Sequence, residues 1–327
     1  HRFDALFLFR AAAFLRRIGA DILHIHGGCF FYGSIIGRLA GVKGVIHTLH
    51  GMPVTSGVQA EWEEYLSCLL TDRIVAVSDE VALDLKARQR AVAGKIGVII
   101  NGIDPGKFRP LADPCERADR RRAYGLPADA EIVGSVGRLE KVKNYPLLLR
   151  AFAEMSLRRA NECHLVLVGK GREEAELKEL AQELGIGNRV SFLGLRYDVP
   201  DIYPLFDVFA LSSLTEGTSL SLLEALSCGV PAIVTDVGGN PRIIDNGVNG
   251  YLTPSGDHRA MAAAFGHVLG GAAELSRMKT AARATIVEKF SIHAMLQRYE
   301  QIYFAVAGRE NGLGQRGGIT PPCSATI

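Results

Sequence analysis

The segment that decides the fold runs from residue 208 to residue 235 and reads VFALSSLTEGTSLSLLEALSCGVPAIVT. The short apolar runs at its two ends, 208–211 and 232–235, are typical of strands that are buried on both faces. Between them, a polar loop leads into an apolar helix that Thr218 or Ser219 can cap. A strand, a helix and a second strand in this order predict two parallel strands of an α/β sheet.

The same alternation of apolar runs and amphipathic stretches recurs along most of the chain. Helical periodicity is clear over residues 145–160 and 173–184. The predicted strands span residues 21–26, 44–48, 73–77, 96–100, 132–136, 164–168, 190–193, 208–211 and 232–235. The repeated order of strand and helix predicts an α/β protein with parallel sheets.

The length of the chain, 327 residues, predicts two domains. The break between them is predicted near residues 108–115, which contain two prolines and show no period. We therefore predict a first domain over residues 1–113 and a second over residues 114–289. A helix within 290–307 follows, and the Gly-, Pro- and Ser-rich tail, 308–327, is predicted to be disordered.

Composition excludes several classes of protein. The formal net charge is +2, so no global field favours a nucleic-acid partner. No apolar run reaches the ~18 residues that a membrane span needs. The six cysteines form no Cys-x-x-Cys pair, so neither a zinc cage nor a disulfide framework is indicated, and a reducing, cytoplasmic location fits best.

Two carboxylates in the deciding segment are candidates for binding a ligand. Glu216 is predicted in the loop before the helix, and Glu224 lies inside the helix. The free N–H groups at the start of such a helix suit an anion such as a diphosphate. The two carboxylates could hold hydroxyls of two different groups, one on a sugar and one on a ribose. The alternative is a helix cap beside a solvated glutamate.

A basic loop follows the strand predicted at 132–136, and it contains Gly137, Arg138 and Lys143. Ligands of open α/β sheets bind outside the carboxyl ends of the strands, and this loop would place two cations there. Arginine grips phosphate bidentately, while lysine acts as a point charge. Asn144 is the expected cap of the next helix. The alternative is a solvated basic loop.

Other patterns exclude a dinucleotide cofactor and give little support for a metal. The loop at Gly169 and Gly171 lacks the third glycine of a dinucleotide fingerprint, because Glu174 stands there. Five histidines lie within the first 50 residues, but no carboxylate or cysteine accompanies them at ligand spacing. The chain also has no Asp-x-Asp pair. We therefore predict no cofactor and no metal ion, with cationic side chains and helix N-termini neutralising the diphosphate.

An ordered set of motifs resembles the family 4 glycosyltransferases, which are retaining enzymes of the GT-B fold. The resemblance covers about residues 20–255. Single motifs are weak, but their shared order is specific. The matching segments are residues 21–27, 48–51, 77–78, 100–104, 136–144, 167–171, 190–194, 216–224, 229–231 and 247–252. The resemblance implies two Rossmann-like domains facing across a cleft, with the second domain binding the nucleotide sugar.

The resemblance also implies roles for individual residues. Arg138 and Lys143 would bind the donor diphosphate, with Gly137 beside them. Glu216 would contact the donor sugar near the reacting centre, and His50 would face that sugar from the first domain. Glu224 would contact the ribose, and the backbone near Arg196 would contact the base. Phosphate and sugar would be bound by the main chain of Gly217, Thr218, Ser219 and Leu220.

The implied reaction moves a sugar from a nucleotide-diphosphate donor to a glycan or lipid-linked acceptor with retention, in the synthesis of surface polysaccharide or glycoconjugate. Such enzymes are thought to use a same-face displacement, which needs no protein nucleophile. The motifs that the family places before residue 21 have no counterpart here, so we expect an incomplete first domain and a chain that by itself is weakly active or inactive. Arg242 stands where the family often has a Pro-Glu pair.

Two other functions remain open from the residues alone: a nucleotide-sugar epimerase or hydrolase of the same fold, and a remnant that binds nucleotide without transferring sugar. His50 itself has a simpler interpretation as a locally hydrogen-bonded loop residue. Residues 3–18 mix aromatic and basic side chains, so peripheral contact with the cytoplasmic membrane face is an alternative to packing on the first domain.

Overall fold

The structure is a computed structural model that describes residues 5–51, 57–157 and 162–308. The chain divides into two compact units. The first unit comprises residues 1–48, 56–74 and 297–327, and the second comprises 49–55 and 75–296. Residues 309–327 of the tail predicted from 308, and the end of the helix predicted to reach 160, lie outside the described residues.

The amino-terminal part of the chain builds a four-stranded sheet in the order β1-β2-β3-β4. Its helices and strands are α1 (Ala5–Arg17), β1 (Ile22–His26), α2 (Phe30–Ala40), β2 (Gly44–Leu49), α3 (Val58–Leu70), β3 (Arg73–Ala76), α4 (Asp79–Arg88) and β4 (Ile96–Val98). The edge strand β1 is parallel to β2, with Ile22 opposite Gly44.

The rest of the chain builds a six-stranded sheet in the order β10-β9-β8-β5-β6-β7. The strands are β5 (Glu131–Val136), β6 (Cys163–Val168), β7 (Val190–Gly194), β8 (Val208–Leu211), β9 (Ala232–Thr235) and β10 (Gly250–Thr253). The helices are α5 (Pro114–Ala123), α6 (Tyr145–Leu157), α7 (Glu174–Glu183), α8 (Val199–Ile202), α9 (Leu220–Ser227), α10 (His258–Gly270), α11 (Ala272–Lys289) and α12 (Ile292–Val306). All the strand pairs of this sheet are parallel.

All nine strands expected from the sequence are present, with ends that differ by two residues or fewer. The tenth strand, β10, was not predicted. It is only four residues long and follows a turn at Gly247, whose φ is 74°. Only its two central residues, Tyr251 and Leu252, are apolar, and both are half-buried. The strand therefore lacks the continuous apolar run that marks its neighbours.

The six-stranded sheet is buried on both faces, which explains its apolar strands. Successive side chains of a strand point to opposite faces. Accordingly Ile132 of β5 joins one buried cluster with Phe209, while Val133 joins a second cluster with Phe152 of α6. Helices therefore cover both faces, as continuous apolar runs predict for a parallel sheet.

A buried aspartate ties α5 to the start of this sheet. Asp207 accepts hydrogen bonds from Arg117 and Arg121, each at 2.8 Å, and from the N–H of Ile132 at 2.9 Å. Burial by itself would raise the pKa of Asp207, but Arg117, Lys279 and Arg121 hold it at about 2. The carboxylate therefore stays ionised, and it fixes β8 beside β5 at their amino ends.

Three histidines of the first unit make contacts with neighbouring polar groups or rings. His24 lies between the hydroxyls of Tyr303, at 2.6 Å, and Thr48, at 2.8 Å. The ring of His26 lies 4.2 Å from that of His24. His47 stacks on Phe30 with ring centroids 3.8 Å apart.

None of the helices in the described ranges is long and apolar enough to cross a membrane.

Candidate functional site

The site is built where two neighbouring strands end. β5 and β8 are parallel and adjacent, with Val133 opposite Val208. The loops that follow them, the basic loop (residues 137–144) and the carboxylate loop (residues 212–219), therefore leave the sheet at the same edge. They are joined directly: the hydroxyl of Ser212 donates to the carbonyl of Lys143, and the N–H of Leu214 donates to the carbonyl of Val142, both at 2.8 Å.

Glu216 is held by one cation and one hydroxyl. Lys143 Nζ lies 2.5 Å from Glu216 Oε1, and Ser213 Oγ donates to the same oxygen at 2.6 Å. The side chains of Lys143 and Glu216 are only 17% and 10% exposed. Both donors reach Oε1, so across the described part of the chain Oε2 accepts no protein hydrogen bond. The carboxylate is oriented and keeps one oxygen for a ligand.

Glycines fix the backbone of the carboxylate loop. Gly238 adopts φ 57°, and a Cβ at this position would lie 1.8 Å from the carbonyl oxygen of Glu216. The N–H of Gly239 donates to the carbonyl of Gly217 at 2.9 Å. Any side chain at residue 238 would collide with the loop, so this close approach requires glycine. The position of Glu216 thus depends on a segment that follows β9.

The start of helix α9 resolves the two capping alternatives. Ser219 is the N-cap, and its Oγ accepts from the N–H of Leu222 at 3.4 Å. Thr218 instead donates its hydroxyl to the carbonyl of Val77. Leu220 is the first helical residue, and its side chain is half-exposed. The positive end of the helix dipole therefore lies next to Glu216, at the end of the carboxylate loop.

Glu224 lies about one turn inside α9, and its partner differs from those of Glu216. The hydroxyl of Tyr203 donates to Glu224 Oε2 at 2.5 Å. Burial raises the pKa of Glu224, while the Tyr203 hydrogen bond and the charge of Lys107 act in the opposite direction. Burial and the neighbouring carboxylate raise the pKa of Tyr203 well above its ordinary value. The phenol therefore remains a donor at neutral pH.

The basic loop presents Arg138 to solvent, while Lys143 is half-buried. Asn144 was expected to cap α6, but it adopts a left-handed conformation with φ 48° and ends a short 3-10 turn over residues 141–143. An N-cap residue normally has extended backbone, so that expectation is wrong in its geometry. The turn bends the chain so that Lys143 faces Glu216.

The glycines of the loop after β6 support the basic loop. A Cβ at Gly169 would lie 1.9 Å from the carbonyl oxygen of Gly137, and a Cβ at Gly171 would lie 2.0 Å from that of Leu139. The N–H of Leu139 donates to the carbonyl of Lys170 at 3.0 Å. These two glycines therefore allow the backbones to approach closely, which is a different role from a dinucleotide fingerprint.

Arg196 is engaged locally by its own loop. Its Nε donates to Asp198 at 2.8 Å, and its guanidinium carbon lies 5.2 Å from the ring centre of Tyr124. The hydroxyl of Tyr124 donates to Asp198 at 2.9 Å. The Arg196 hydrogen bond is the main cause that holds the pKa of Asp198 at about 2. This network orders the backbone that was predicted to contact the base.

The structure brings the main chain of His50 beside the carboxylate loop. A Cβ at Gly217 would lie 3.0 Å from the carbonyl oxygen of His50. The imidazole of His50 itself is exposed. Arg242, whose contacts the sequence left uncertain, forms an ion pair with Asp79 at 2.9 Å. Within the described ranges, no three or more His, Cys, Asp or Glu side chains converge as ligands for a metal ion.

The sequence did not identify two residues of this site, Tyr203 and Ser213. Tyr203 precedes its partner Glu224 by 21 positions and lies in a separate turn. No local period links the two residues, so only the packed fold reveals their contact. Ser213 lay inside the deciding segment, and its position three residues before Glu216 was the one available signal.

The fold and this arrangement define a glycosyltransferase with a GT-B type fold. The model of the family described as glycosyl transferases group 1 matches residues 116–285. The model described as Glycosyltransferase Family 4 matches residues 1–107. The chain therefore belongs to the group 1, family 4 glycosyltransferases, as the motifs predicted.

Curated relatives support the same assignment. The chain is 30% identical over 299 residues to a UDP-Gal:α-D-GlcNAc-diphosphoundecaprenol α-1,3-galactosyltransferase of Escherichia coli, covering 88% of this chain and 76% of the relative. It is 28% identical to an N-acetyl-α-D-glucosaminyl L-malate synthase of Bacillus anthracis, covering 93% of this chain and 80% of that one.

Solved structures support the fold. A glycosyltransferase from Rickettsia africae ESF-5 superposes with a TM-score of 0.83 at 20% identity, covering 95% of this chain and 84% of that one. The Anabaena protein HepE in complex with UDP superposes with a TM-score of 0.80 at 22% identity, covering 92% of this chain and 82% of that one.

Proposed function

We propose that this chain transfers a sugar from a UDP-sugar to a glycan or lipid-linked acceptor, with retention of anomeric configuration and without a metal ion. The observation that carries the proposal is the ion pair of Lys143 with Glu216, formed between the loops that follow the carboxyl ends of β5 and β8, with Glu224 in the helix that continues from the second loop. This edge is where open α/β sheets bind nucleotides. The proposal includes the second domain over residues 114–289 as the donor-binding domain.

Each group has a chemical task in this proposal. Lys143 and Arg138 neutralise the charge that develops on the departing diphosphate, a task that preorganised cations perform without reorganisation cost. Arg138 is exposed and therefore accessible to a phosphate. Glu216 accepts a hydrogen bond from a sugar hydroxyl through its remaining oxygen. Glu224 accepts hydrogen bonds from the ribose, and the N–H groups at the start of α9 face the phosphates.

Retention follows from a displacement in which the acceptor attacks the face that the diphosphate leaves. The departing phosphate can take the proton of the attacking hydroxyl, so no protein nucleophile is required. The proposed contacts of His50 with the sugar and of the backbone near Arg196 with the base complete the donor site. Cationic side chains replace the metal ion that other nucleotide-sugar sites use to hold the diphosphate.

The relatives bear on the acceptor. Their names specify a diphosphoundecaprenol-linked sugar, L-malate and D-inositol 3-phosphate, all acceptors of different chemistry. We favour the lipid-linked class because the exposed side of α1 carries Leu6, Phe9 and Phe14 together with Arg10 and Arg17. Apolar and basic side chains on one helix are typical of contact with an anionic membrane surface. Such an enzyme would work at the cytoplasmic membrane face, in polysaccharide or glycoconjugate synthesis.

The test is to incubate the protein with UDP-glucose, UDP-galactose or UDP-N-acetylglucosamine and a panel of glycan and polyprenyl-diphosphate-sugar acceptors. Proton NMR would assign the anomeric configuration of the product. We expect an α-linked product, transfer that survives EDTA, and transfer by Glu216→Gln that is slower by about 10²–10³-fold. An inverted product, or loss of transfer in EDTA that Mg²⁺ or Mn²⁺ restores, would contradict the mechanism. Epimer formation without acceptor would favour an epimerase.

A further inference from the structure

Tyr203 comes from a part of the fold that no sequence motif assigned to the site. It begins a short 3-10 turn, Tyr203–Leu205, immediately before β8. Its side chain is fully buried. The rings of Phe108, Phe206 and Phe209 surround it at centroid distances of 6.0 to 6.1 Å. These rings fix the orientation of the Tyr203 ring and therefore the position of its hydroxyl.

The Tyr203 hydroxyl donates to one oxygen of Glu224. The bond to Oε2 is 2.5 Å long, which is typical of a hydroxyl that donates to a charged carboxylate. Where the structure describes the chain, Glu224 Oε1 accepts no hydrogen bond from the protein. One oxygen of Glu224 is thus held by the fold, and the other is left for a ligand.

The kind of donor matters as much as its position. A phenol holds the carboxylate without neutralising it, in contrast to the ammonium that holds Glu216. The pKa of Tyr203 is raised well above its ordinary value by burial and by Glu224, so the phenol keeps its proton. A charged acceptor in a fixed plane suits a ribose hydroxyl, because the oxygen that Tyr203 leaves open can accept a hydrogen bond from it.

We propose that Tyr203 is a positioning residue that fixes the carboxylate of Glu224 for the ribose hydroxyls of the donor nucleotide. This inference rests on the proposed function, which assigns Glu224 to the ribose. Tyr203 would act through Glu224 and would not touch the donor. Its hydroxyl would therefore change the affinity for nucleotides that carry ribose hydroxyls and leave the affinity for deoxynucleotides unchanged.

The experiment is calorimetric titration of the full chain with UDP and with its 2′-deoxy and 3′-deoxy analogues. The variants are Tyr203→Phe and, as a matched control, Tyr251→Phe. Tyr251 also donates to a glutamate, Glu274, at 3.5 Å, outside the site. We expect Tyr203→Phe to weaken UDP binding about tenfold, the scale of one hydrogen bond to a charged group. Its affinity for the analogue that lacks the Glu224-bound hydroxyl should equal that of the unaltered protein.

Other outcomes separate the alternatives. Equal weakening for UDP and both analogues would mean that Tyr203 only supports the fold, and unchanged affinities would mean that it has no role; either result overturns the inference. If the unaltered protein binds no UDP, GDP or ADP, the proposed function fails instead. Should Tyr203→Phe not fold, Tyr203→His supplies the second test. A ring N–H donor should retain part of the hydroxyl discrimination, and equal weakening for UDP and both analogues in this variant would again overturn the inference.

Steady-state kinetics gives an independent readout. Tyr203→Phe should raise the KM for the donor about tenfold while kcat changes less than about threefold, because a ribose contact is made equally in the ground state and the transition state. A fall in kcat with an unchanged KM would contradict a positioning role at the ribose.

Discussion

Glu216 and Glu224 lie eight residues apart, one in the carboxylate loop and one in the helix that follows it, but the fold gives them different kinds of partner. Glu216 meets an ammonium and a serine hydroxyl at one oxygen. Glu224 meets a neutral phenol, and its pKa is raised by burial. Two identical side chains on one loop-helix segment thus have different chemical environments, which is what the proposed roles at the sugar and at the ribose require. A cation beside Glu216 suits a centre where charge changes, and a neutral donor beside Glu224 suits constant recognition.

The largest expected effect is at the cation-paired glutamate. Glu216→Gln removes the charge next to Lys143 while keeping the shape of the side chain. We expect kcat to fall by about 10²–10³-fold, the scale reported for one electrostatic contact in a transition state. The affinity for UDP should change less than about threefold, because UDP lacks the transferred sugar that residue 216 would contact. Transfer kinetics and calorimetry measure the two quantities.

Glu183→Gln is the control for this prediction, since Glu183 is exposed on α7. It should leave both quantities unchanged. A large loss of UDP affinity in Glu216→Gln with normal kcat would reverse the roles assigned to the two glutamates.

Substitution of Glu224, which is paired with a phenol, should have the opposite pattern, with a larger effect on UDP binding than on kcat. Glu224→Gln is expected to weaken UDP binding by about 10 to 100-fold, because a hydrogen bond to a charged acceptor is replaced by one to a neutral amide. At saturating donor, kcat should fall less than about fivefold, since the contact persists through the reaction. A kcat loss as large as that of Glu216→Gln would erase the distinction between the two carboxylates.

Arg138 tests the cationic side of the comparison. It is exposed, so solvent screens its interaction with a phosphate. Arg138→Ala should weaken UDP binding about tenfold, a loss near the lower end of the charge-assisted range. Arg150→Ala, an exposed position on α6, is the control. Unchanged affinity in Arg138→Ala would refute the diphosphate assignment.

The smallest effect is a pH dependence. Binding to ribose needs ionised Glu224, whose pKa is raised by burial above 4.5. On acidification, UDP affinity should therefore begin to fall at a higher pH than an ordinary glutamate would give. The Tyr203 hydrogen bond lowers this pKa, so the fall should shift to still higher pH in Tyr203→Phe. Titrations from pH 7.5 downward, with Lys107→Ala to test the nearby charge, measure the shift.

The same raised pKa has a consequence for stability. Because the folded-state pKa of Glu224 exceeds the unfolded value, the unfolded chain binds fewer protons through this group between the two pKa values. Its contribution to the free energy of unfolding therefore grows as the pH falls through the folded-state pKa towards 4.5. A melting temperature that decreases over this interval because of Glu224, judged against Glu224→Gln, would contradict the direction of the shift.

Some features of the molecule followed from local patterns. Short runs rich in apolar and β-branched residues predict strands, so nine of the ten strands of the described structure were found. The cap at Ser219 and the loop position of Glu216 depend on residues within a few positions of each other. The short strand β10 was missed because only two of its four residues, Tyr251 and Leu252, are apolar. The domain boundary near residue 113 remains a prediction.

Sequence by itself determined that this chain alternates strands with helices, that basic and carboxylate loops follow two of the strands, and that the ordered motifs belong to one family of glycosyltransferases. Only the tertiary structure decided that β5 and β8 are neighbours, so that Lys143 reaches Glu216, and that the turn before β8 delivers Tyr203 to Glu224. The physical reason is that hydrophobic periodicity records which face of an element is buried. The partners of a buried polar group depend on which elements pack together, and residues far apart in the chain supply them.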